Sequence, residues 1–436
     1  MNRVAISIGI WGLSLVAALP VGAAPPMFGY TVQRGDTLYA LAQAYFTHPG
    51  DYRTVRRANH ISNPRRLPAG MELEVPIELL RTRPILAHLL AFRGDVTIGP
   101  ESKPVAASRN MSFSEGATIS TGPDSDAQFE LPDGSRISVP SQSRVRIERL
   151  RFTLMSGKVE RALVVEKGRS ESHVTPLKNS GDSYKVSTPL SVSAVRGTEF
   201  RVQYDADRRQ ASTEVVKGAV QVSSGRGEPV VVVAGYGANI GSGGVAAPES
   251  LLPAPSLLRP DRVLDDAAIE IDLAPTAGAV SYEAVLATDA GFVDTLAETT
   301  SAEPRLSFAG LPDGVYFLRL TAVAPDGLEG LPATYALDRA LNTLSLTAPV
   351  ESIAGPHRRY LFRWQAEGDG QRSYRFQLFR DQDPRPIIDE AGLSERQLTV
   401  TDLRPGIYAW RIMSRTVTPG RQVEKWSAPQ SFHVGV

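Results

Sequence analysis

Apolar residues between positions 30 and 76 change from strand-like spacing to helix-like spacing and back. Tyr30 and Val32 alternate with polar residues, which predicts a short strand. The next apolar residues have the three- and four-residue spacing of one buried helix face: Leu38, Leu41, Ala42 and Tyr45. Alternation returns in a last run that Pro76 ends: Met71, Leu73 and Val75. The pattern predicts a small domain that begins and ends with a strand.

Turn and cap residues complete this prediction. Gly35 allows the chain to turn after the first strand, and Asp36 is placed to cap the helix that follows. Asp51 is placed to cap a second short helix, which ends near Asn59. The loop 61–64 then leads toward the last strand. The predicted order is therefore β-α-α-β.

The stretch 84–244 alternates apolar and polar residues with a period of two. Turn residues interrupt the alternation about every eight to twelve residues, as in hairpins. Phe129 and Leu131 stand before the turn Pro132–Gly134, for example, and Ile137 and Val139 stand after it. This spacing predicts an all-β domain.

Two motifs recur at one offset in the last part of the chain. Tyr316 and Tyr408 are 92 positions apart, and so are Tyr282 and Tyr374. A common offset indicates a duplicated domain. In both copies a tyrosine follows a glycine turn at the start of a strand, which is typical of a β-sandwich with a tyrosine corner. The glycine-rich run 241–244 and the prolines Pro248, Pro253 and Pro255 show no apolar period, and the stretch 245–256 is predicted to be a linker.

The aromatic residues of the two predicted sandwiches raise the question of a sugar-stacking surface. Alternation places Trp364 and Trp410 on core-facing positions. For Trp426 the pattern leaves core and surface open.

Composition narrows the range of partners and chemistry. The chain has 436 residues, with 47 basic and 47 acidic side chains, and this balance argues against nucleic acid as the main partner. Cysteine is absent, which excludes disulfides, thiolate metal sites, a cysteine nucleophile and a lipid-modified cysteine.

Residues 1–23 have the layout of a secretory signal. Arg3 precedes an apolar core, Pro20 ends that core, and Val21–Ala23 form a small-residue cleavage site. The alternative is an uncleaved anchor, although the apolar run is short for a span of roughly 20 residues. We expect an exported protein of the periplasm or cell envelope, with no membrane span after signal cleavage.

Patterns typical of enzymes are missing from the sequence. The six histidines show no metal-ligand spacing, and no Ser-x-x-Lys or Gly-x-Ser-x-Gly motif stands in a fitting context. Beyond Asn59 no long segment has the helical period of a glycosidase domain. We predict no catalytic residue, no metal and no cofactor.

The segment 30–76 resembles a LysM domain. The matching positions are Tyr30, Val32, 35–38, Leu41, Ala42, Asn59, Ile61, 63–64, 68–70 and 75–76. The resemblance implies binding of N-acetylglucosamine-containing glycan, in bacteria usually peptidoglycan, in a shallow groove between two loops. It implies these groove residues: Gly35, Asp36, Thr37, Leu38, Tyr39, Ile61, Ser62, Asn63 and Pro64. Capping and turn formation are the alternative roles for Asp36 and Asn63.

Arginines mark a departure from the LysM pattern. Arg65 and Arg66 stand where the family more often has an acidic or neutral loop, and Arg53, Arg56 and Arg57 are close by in sequence. Two interpretations remain open at this point. The arginines favour a carboxylate-bearing peptide stem, or they form an ordinary solvated face.

The middle of the chain resembles a FecR-type periplasmic domain. The motifs that carry the resemblance are 92–96, 120–125, 131–135, 187–189, 195–200 and 216–222. In sensor proteins of that family the domain is joined to a membrane helix and a portion that regulates a sigma factor. We expect an adaptor or structural role here instead. For Arg196, bonding to turn carbonyls or to an acid is favoured over ligand binding.

The expected fold is multidomain and mainly β, with a small βααβ LysM domain, an all-β FecR-like domain and two C-terminal β-sandwiches that resemble fibronectin type III modules. The predicted segments are a signal peptide (1–23), a LysM domain (28–80), a FecR-like domain (84–244), a linker (245–256) and two sandwiches (257–341 and 342–436).

The expected function is a non-catalytic scaffold that binds peptidoglycan or a related glycan through the LysM domain. The FecR-like and sandwich domains are candidates to bind an envelope protein. The alternative is a periplasmic signalling component whose FecR-like domain senses a ligand or a partner protein.

Overall fold

The computed structural model describes residues 26–177, 179, 181–308, 310–418 and 421–435. The predicted signal segment, 1–23, lies outside them. The chain divides into two compact units: an N-terminal unit, residues 26–83 with 152–158, and a large unit, residues 84–151 with 159–435. In the described part of the chain, no helix combines the length and apolarity needed to cross a membrane.

The N-terminal unit has the predicted β-α-α-β order. Its elements are β1 (Met27–Thr31), α1 (Leu38–Tyr45), α2 (Tyr52–Ala58) and β2 (Glu72–Pro76), with one-turn 3-10 helices at Pro49–Asp51 and Ile77–Leu79. Strand β1 pairs antiparallel with β2, so that Met27 lies opposite Pro76 and Thr31 opposite Glu72. The predicted helix face is confirmed, since Leu38, Leu41 and Ala42 are buried.

Seven residues from the middle of the chain complete this unit, which the sequence did not predict. Met155 packs against its apolar core. The Leu154 N–H donates to the carbonyl of Arg81 at 3.1 Å, and the Lys158 ammonium lies 5.4 Å from the centre of the Phe28 ring. The core of the small domain is therefore larger than the segment 28–80 alone provides.

Residues 82–250 form short strands throughout, as the period-two pattern predicts. The strands are β3 (Thr82–Pro84), β4 (Ala87–Arg93), β5 (Val96–Gly99), β6 (Val105–Ala106), β7 (Ser112–Phe113), β8 (Thr118–Thr121), β9 (Asp126–Glu130), β10 (Arg136–Val139), β11 (Arg144–Thr153), β12 (Val159–His173), β13 (Ser183–Ser187), β14 (Ser191–Val195), β15 (Glu199–Asp205), β16 (Gln210–Lys217), β17 (Ala219–Ser224), β18 (Val230–Val233), β19 (Tyr236–Gly241), β20 (Gly244–Val245) and β21 (Glu249–Ser250).

One strand, β12, takes part in two sheets. Its first half runs parallel to β13, with Glu160 beside Ser183, and its second half runs antiparallel to β15, with Gly168 opposite Tyr204. Gly168 has φ +72°, and a Cβ there would lie 2.7 Å from the Cα of Ser143. Glycine therefore permits both the backbone angle and the close approach at the change of sheet. The alternating residues predicted to face inward are buried in one apolar core.

The last part of the chain contains two sets of strands. The first set is β22 (Ile269–Asp272), β23 (Ser281–Ala287), β24 (Thr295–Ser301), β25 (Arg305–Phe308), β26 (Gly314–Val323) and β27 (Ala333–Arg339). The second set is β28 (Thr343–Ala354), β29 (His357–Glu367), β30 (Gln371–Arg380), β31 (Ile388–Leu393), β32 (Gln397–Thr401), β33 (Gly406–Thr418), β34 (Arg421–Trp426) and β35 (Gln430–Val434). Each set forms two sheets around its own apolar core, which defines a β-sandwich.

Strand pairing confirms the duplication. In the first sandwich β23 pairs with β26, and Glu283 lies opposite Thr321. In the second sandwich β30 pairs with β33, and Arg375 lies opposite Met413, each 92 positions further on. Both sandwiches also have the predicted tyrosine corner. The Tyr316 hydroxyl donates to the carbonyl of Pro312 at 2.8 Å, and that of Tyr408 to the carbonyl of Arg404 at 2.7 Å.

The tryptophans follow the alternation. Trp364 and Trp410 are buried in the core of the second sandwich, as predicted. Trp426, which the sequence left open, is 38% exposed, and the Arg411 guanidinium lies 4.3 Å from the centre of its ring.

The predicted linker, 245–256, is a packed connection. Leu251 is buried, and its N–H donates to the carbonyl of Gly235 at 2.9 Å. A few residues later, the carbonyl of Leu252 accepts from the N–H of Leu331, and that of Pro255 from the Tyr335 hydroxyl. An apolar side chain and backbone hydrogen bonds thus fix a stretch that its prolines and the preceding glycine-rich run, 241–244, indicated to be a linker. The boundaries 84–244, 257–341 and 342–436 stay predictions.

Candidate functional site

The first loop of the candidate groove, between β1 and α1, is held by Thr37 and Asp36 in different ways. Thr37 is the N-cap of α1, because its hydroxyl oxygen accepts from the Ala40 N–H at 3.1 Å. Asp36, the predicted cap, instead turns back toward β1. Its Oδ2 accepts from the Gln33 N–H at 2.8 Å and from the Tyr30 hydroxyl at 2.9 Å. The prediction of an Asp36 cap is wrong, since the carboxylate closes the preceding turn.

Asp36 also has an electrostatic effect on Tyr30. Burial of the hydroxyl, followed by its hydrogen bond to the Asp36 carboxylate, raises the pKa of Tyr30 to about 12. Tyr30 therefore keeps its proton at every physiological pH and donates it to Asp36. Gly35, with φ +96°, supplies the left-handed residue of this turn.

The second loop, after α2, is held by side chains that bond to backbone. The Asn63 Oδ1 accepts from the Arg65 N–H at 3.0 Å, which is a local turn bond. The Arg56 guanidinium donates to the carbonyl of Ile61 at 3.0 Å. The Asn59 amide joins the end of α2 to β2, because it donates to and accepts from the backbone of Glu74 at 2.7 Å. Asp51, predicted to cap α2, makes no side-chain cap bond.

One hydrogen bond brings the two loops together. The Leu38 N–H donates to the carbonyl of Pro64 at 2.9 Å. The predicted groove residues then fall into three groups by exposure. Gly35, Tyr39, Ser62 and Asn63 are exposed, Asp36, Thr37 and Pro64 are partly buried, and Leu38 and Ile61 are buried. Leu38 and Ile61 therefore support the site from the core, and the other seven form its surface.

Tyr52, the first residue of α2, belongs to the surroundings of this surface. Its ring meets the ring of Tyr39 edge to face, with centres 6.1 Å apart. Tyr39 is 53% exposed and accepts a hydrogen bond from the Gln43 amide at 3.3 Å. The Arg53 guanidinium lies 5.7 Å from the centre of the Tyr52 ring. A long-range aromatic contact of this kind leaves no trace in periodicity.

A second concave region lies in the large unit, between the FecR-like segment and the first sandwich. It encloses about 410 Å³ and has a buried ion cluster in its wall. Glu329 accepts from Arg169 and, at 2.6 Å, from Arg201, and Glu283 accepts from Arg169 at 2.6 Å. Burial raises the pKa of Glu329, but the two arginines outweigh burial and hold it below its usual range.

Glu214 and Glu283 have the opposite shift, because burial raises the pKa of each. Burial raises the pKa of Glu214 to about 7, against the lowering influence of Arg201. The Glu214 Oε1 accepts from the Ser212 hydroxyl at 2.7 Å. In the described residues no group of histidines and carboxylates could hold a metal ion.

Several residues of the FecR-like motifs make structural hydrogen bonds to other strands or turns of the same segment. Arg93 pairs with Asp126 at 3.0 Å, and the Asp95 N–H donates to the Ser125 hydroxyl at 2.8 Å. Arg196 is exposed and contacts the carbonyl of Asn179 at 3.5 Å. A Cβ on the following residue, Gly197, would lie 2.8 Å from Pro176, so that position requires glycine.

Comparison with protein families agrees with this architecture. Residues 30–76 match the model of the LysM domain, and residues 117–221 match that of the FecR protein family. The chain therefore carries a LysM domain followed by a FecR domain, two families that bind or regulate and do not catalyse. No curated protein matches the sequence.

Solved structures give only low similarity. A candidate anti-sigma factor from Parabacteroides distasonis matches with 18% identity, 30% of this chain, 59% of that chain and a TM-score of 0.26. The fibronectin(III)-like modules of Clostridium thermocellum CbhA match with 15% identity, 41% and 92% coverage and a TM-score of 0.21. The FN1–FN3 domains of chicken CNTN1 match with 12% identity, 56% and 94% coverage and a TM-score of 0.20. The chain spans less than two thirds of the anti-sigma factor, and these TM-scores transfer neither fold nor role.

Proposed function

We propose that this protein is a non-catalytic scaffold of the periplasm or cell envelope that binds peptidoglycan through its LysM domain. The observation that carries the proposal is the pair of loops, 35–39 and 61–64, joined by the Leu38–Pro64 hydrogen bond within a segment that matches the LysM model. The FecR domain and the two sandwiches are then the parts that the anchored protein presents to other molecules.

The exposed groups on the two loops suit an N-acetylglucosamine unit. In the described structure the Ser62 hydroxyl and the Asn63 amide nitrogen make no hydrogen bond within the protein, so both are available to the oxygens of an acetamido group or a sugar hydroxyl. Tyr39 offers a half-exposed ring for an apolar sugar face. Gly35, Asp36, Thr37 and Pro64 shape the loops, and Leu38 and Ile61 support them.

A single shallow site of this kind binds weakly. Firm attachment to the wall therefore requires several copies or a second contact, because linked sites raise the effective concentration of one another. The FecR domain and the sandwiches are candidates for that second contact with an envelope protein.

Sedimentation of the full-length protein with purified insoluble peptidoglycan tests the proposal. Two variants address the site: Tyr39→Ala removes the exposed ring, and Asn63→Asp removes the amide donor while it keeps the Oδ1 that accepts from Arg65. We expect each variant to bind about tenfold more weakly than the native protein. Tyr236→Ala is the matched control, because Tyr236 is a 41% exposed tyrosine of the FecR domain.

Two results would count against the proposal at different levels. If the native protein stays in the supernatant, the glycan-binding function is wrong. If the native protein sediments and both variants sediment equally well, the function stands and the site assignment is wrong. Circular dichroism of each variant is the control that tests whether its strands are intact.

The match to FecR favours a second candidate function, a signalling component whose FecR domain binds a ligand or partner protein. This function predicts that an envelope protein can be crosslinked to the FecR domain in cells, and that the crosslink persists when Tyr39→Ala or Asn63→Asp weakens peptidoglycan binding. The scaffold function predicts that the crosslink weakens when the anchor is lost.

A further inference from the structure

The N-terminal unit is the basic part of an otherwise balanced chain. Its residues, 26–83 with 152–158, contain eight arginines and one lysine against five carboxylates, whereas the whole chain has 47 of each sign. The remainder of the chain is correspondingly acidic. A local excess of this size attracts anions even when the net charge of the protein is zero.

The arginines of this unit have no acidic partners in the described structure. Along that part of the chain the first ion pair joins Arg93 to Asp126, in the large unit. Two of the five carboxylates of the unit are used otherwise, since Asp36 accepts from Tyr30 and Gln33, and Glu72 accepts from the Thr31 hydroxyl. Charge balance therefore does not explain why these arginines are present.

Two of the arginines have a structural purpose. Arg56 donates to the carbonyls of Ile61 and Ser62, and Arg81 donates to those of Phe46 and Gln43. These bonds fix the second loop and the end of α1. Removal of either arginine would disturb the fold, so neither is a useful probe of ligand binding.

The other six arginines, which include Arg34 and Arg83, are exposed and make no side-chain hydrogen bond in the described structure. Four of the six lie on α2 or directly after the second loop: Arg53, Arg57, Arg65 and Arg66. Arg53 and Arg57 are one helical turn apart on α2, where like charges at this spacing destabilise a helix slightly. Arg65 and Arg66 directly follow Pro64, and the Asn63 turn holds their backbone at the end of the candidate groove. Unpaired positive charge is thus concentrated beside the site.

We infer that this arginine surface binds the carboxylates of the peptide stems carried by peptidoglycan. The inference rests on the proposed function and names its ligand more closely: a glycan that bears acidic peptides, in preference to an uncharged polymer of the same sugar. Arginine suits this role because its planar guanidinium matches a carboxylate with two parallel hydrogen bonds.

Three polymers separate the possible sources of binding. Chitin presents N-acetylglucosamine without charge. Native peptidoglycan sacculi, treated with hydrofluoric acid to remove phosphate polymers, present sugar and carboxylates. The same sacculi after conversion of their carboxylates to amides present sugar and neutral peptides. The full-length protein is sedimented with each at low salt, where contacts between exposed charges are least screened.

We expect the native protein to bind acid-treated sacculi about three- to tenfold more tightly than amidated sacculi. Arg65→Gln combined with Arg66→Gln should lose this preference and leave chitin binding unchanged. The matched control is Arg359→Gln with Arg363→Gln, which removes two exposed arginines from β29 of the second sandwich and should change nothing.

The outcomes distinguish this inference from the function on which it rests. Failure of the native protein to bind any of the three polymers would overturn the proposed function itself. Two results would overturn only the carboxylate assignment. One is equal binding of the native protein to acid-treated and amidated sacculi, and the other is an unchanged preference of the Arg65/Arg66 variant for the acid-treated sacculi. Sacculi that have not been treated with hydrofluoric acid are sedimented in parallel, and loss of binding on that treatment would assign the arginines to phosphate and overturn the carboxylate assignment likewise.

Discussion

The two sandwiches share a fold and a strand register, yet the same sheet face has different surroundings in each. Glu283 of the first sandwich corresponds to Arg375 of the second under the 92-residue offset. Glu283 bonds to Arg169 of the FecR domain at 2.6 Å. Arg375 bonds to Asp389 on the neighbouring strand of its own sheet, with two contacts of 2.7 Å. One face is completed by another domain, and the other completes itself.

The ion pairs at the two faces differ in burial, and they therefore differ in how much stability is lost when one partner is removed. The side chains of Arg201 and Glu329 are 7% and 6% exposed, whereas those of Arg375 and Asp389 are 41% and 31% exposed. Buried ions lose hydration and depend on each other, while exposed ions keep water as an alternative partner. The two sandwiches therefore share a fold, but in the described structure only the first has a buried ion pair with the FecR domain at this face. At these equivalent positions the first sandwich is bonded to the FecR domain, and the second is bonded within its own sheet. Elsewhere the second sandwich pairs with the first, since Lys425 lies 2.6 Å from Asp266.

The largest effect is expected for Glu329→Gln. The amide leaves the guanidinium groups of Arg169 and Arg201 buried without a full counter-charge, which costs about 3–5 kcal/mol. Hydrogen exchange of the full-length protein should show faster exchange in β15, β23 and β26. Asp389→Asn is the matched control, because it breaks an exposed pair at the equivalent face and should cost about 1 kcal/mol or less.

Tryptophan fluorescence sharpens this test. Three of the four tryptophans, Trp364, Trp410 and Trp426, lie in the second sandwich, and the fourth, Trp11, lies in the predicted signal segment. In protein without that segment, the urea transition measured by tryptophan fluorescence therefore reports the second sandwich. Glu329→Gln should leave its midpoint unchanged. A shift as large as the one that exchange shows in the first sandwich would mean that the two sandwiches unfold together, and the contrast between them would then be wrong.

A smaller effect is expected for Glu214. Its pKa in the folded protein is raised to about 7 from an ordinary value of 4.5, so its stabilising contribution is present below pH 4.5 and lost as the pH rises through 7. Glu329, whose pKa is held low, stays charged over that range and contributes no change. Glu214→Gln should therefore increase stability at pH 8 by about 3 kcal/mol and leave it nearly unchanged at pH 4.

Urea unfolding of the full-length protein at pH 5, 6, 7 and 8, followed by hydrogen exchange in β16, measures this dependence. Burial also raises the pKa of Glu283, so the Glu214→Gln variant keeps part of the pH dependence of stability. A native protein whose exchange in β16 does not accelerate between pH 5 and 8, after correction for the intrinsic rate, would contradict the shift at Glu214.

The sequence predicts the strands of these domains, their duplication and the tyrosine corner because the relevant signals are local. Alternation marks the strands, the offset of 92 marks the duplication, and a glycine turn before Tyr316 marks the corner bond. The bond from Arg169 to Glu329 joins residues 160 positions apart, and no periodicity carries that information. Two further features also depend on contacts between distant residues: the packing of 245–256 and the contribution of 152–158 to the N-terminal unit.

The candidate site shows the same limit on a smaller scale. The two loops, 35–39 and 61–64, follow from the helix and strand patterns, and the structure joins them. Which of Asp36 and Thr37 caps α1 could not be predicted, since both residue types cap helices and the choice depends on the Tyr30 hydroxyl that binds Asp36. Contacts that cross elements, such as Tyr39 with Tyr52, were also missed.

The smallest effect concerns the feature that the two sandwiches have in common. Tyr316→Phe and Tyr408→Phe each remove one hydroxyl that donates to a carbonyl four residues earlier. Each should cost about 1 kcal/mol, because a single neutral hydrogen bond is lost and the ring stays in place. Tryptophan fluorescence measures the second variant, and hydrogen exchange in β26 the first. Similar losses of stability in the two variants would show that the corner hydrogen bond does not depend on contact with the FecR domain. A much larger cost at Tyr316 would show instead that the buried ion cluster makes the whole first sandwich sensitive to any local loss.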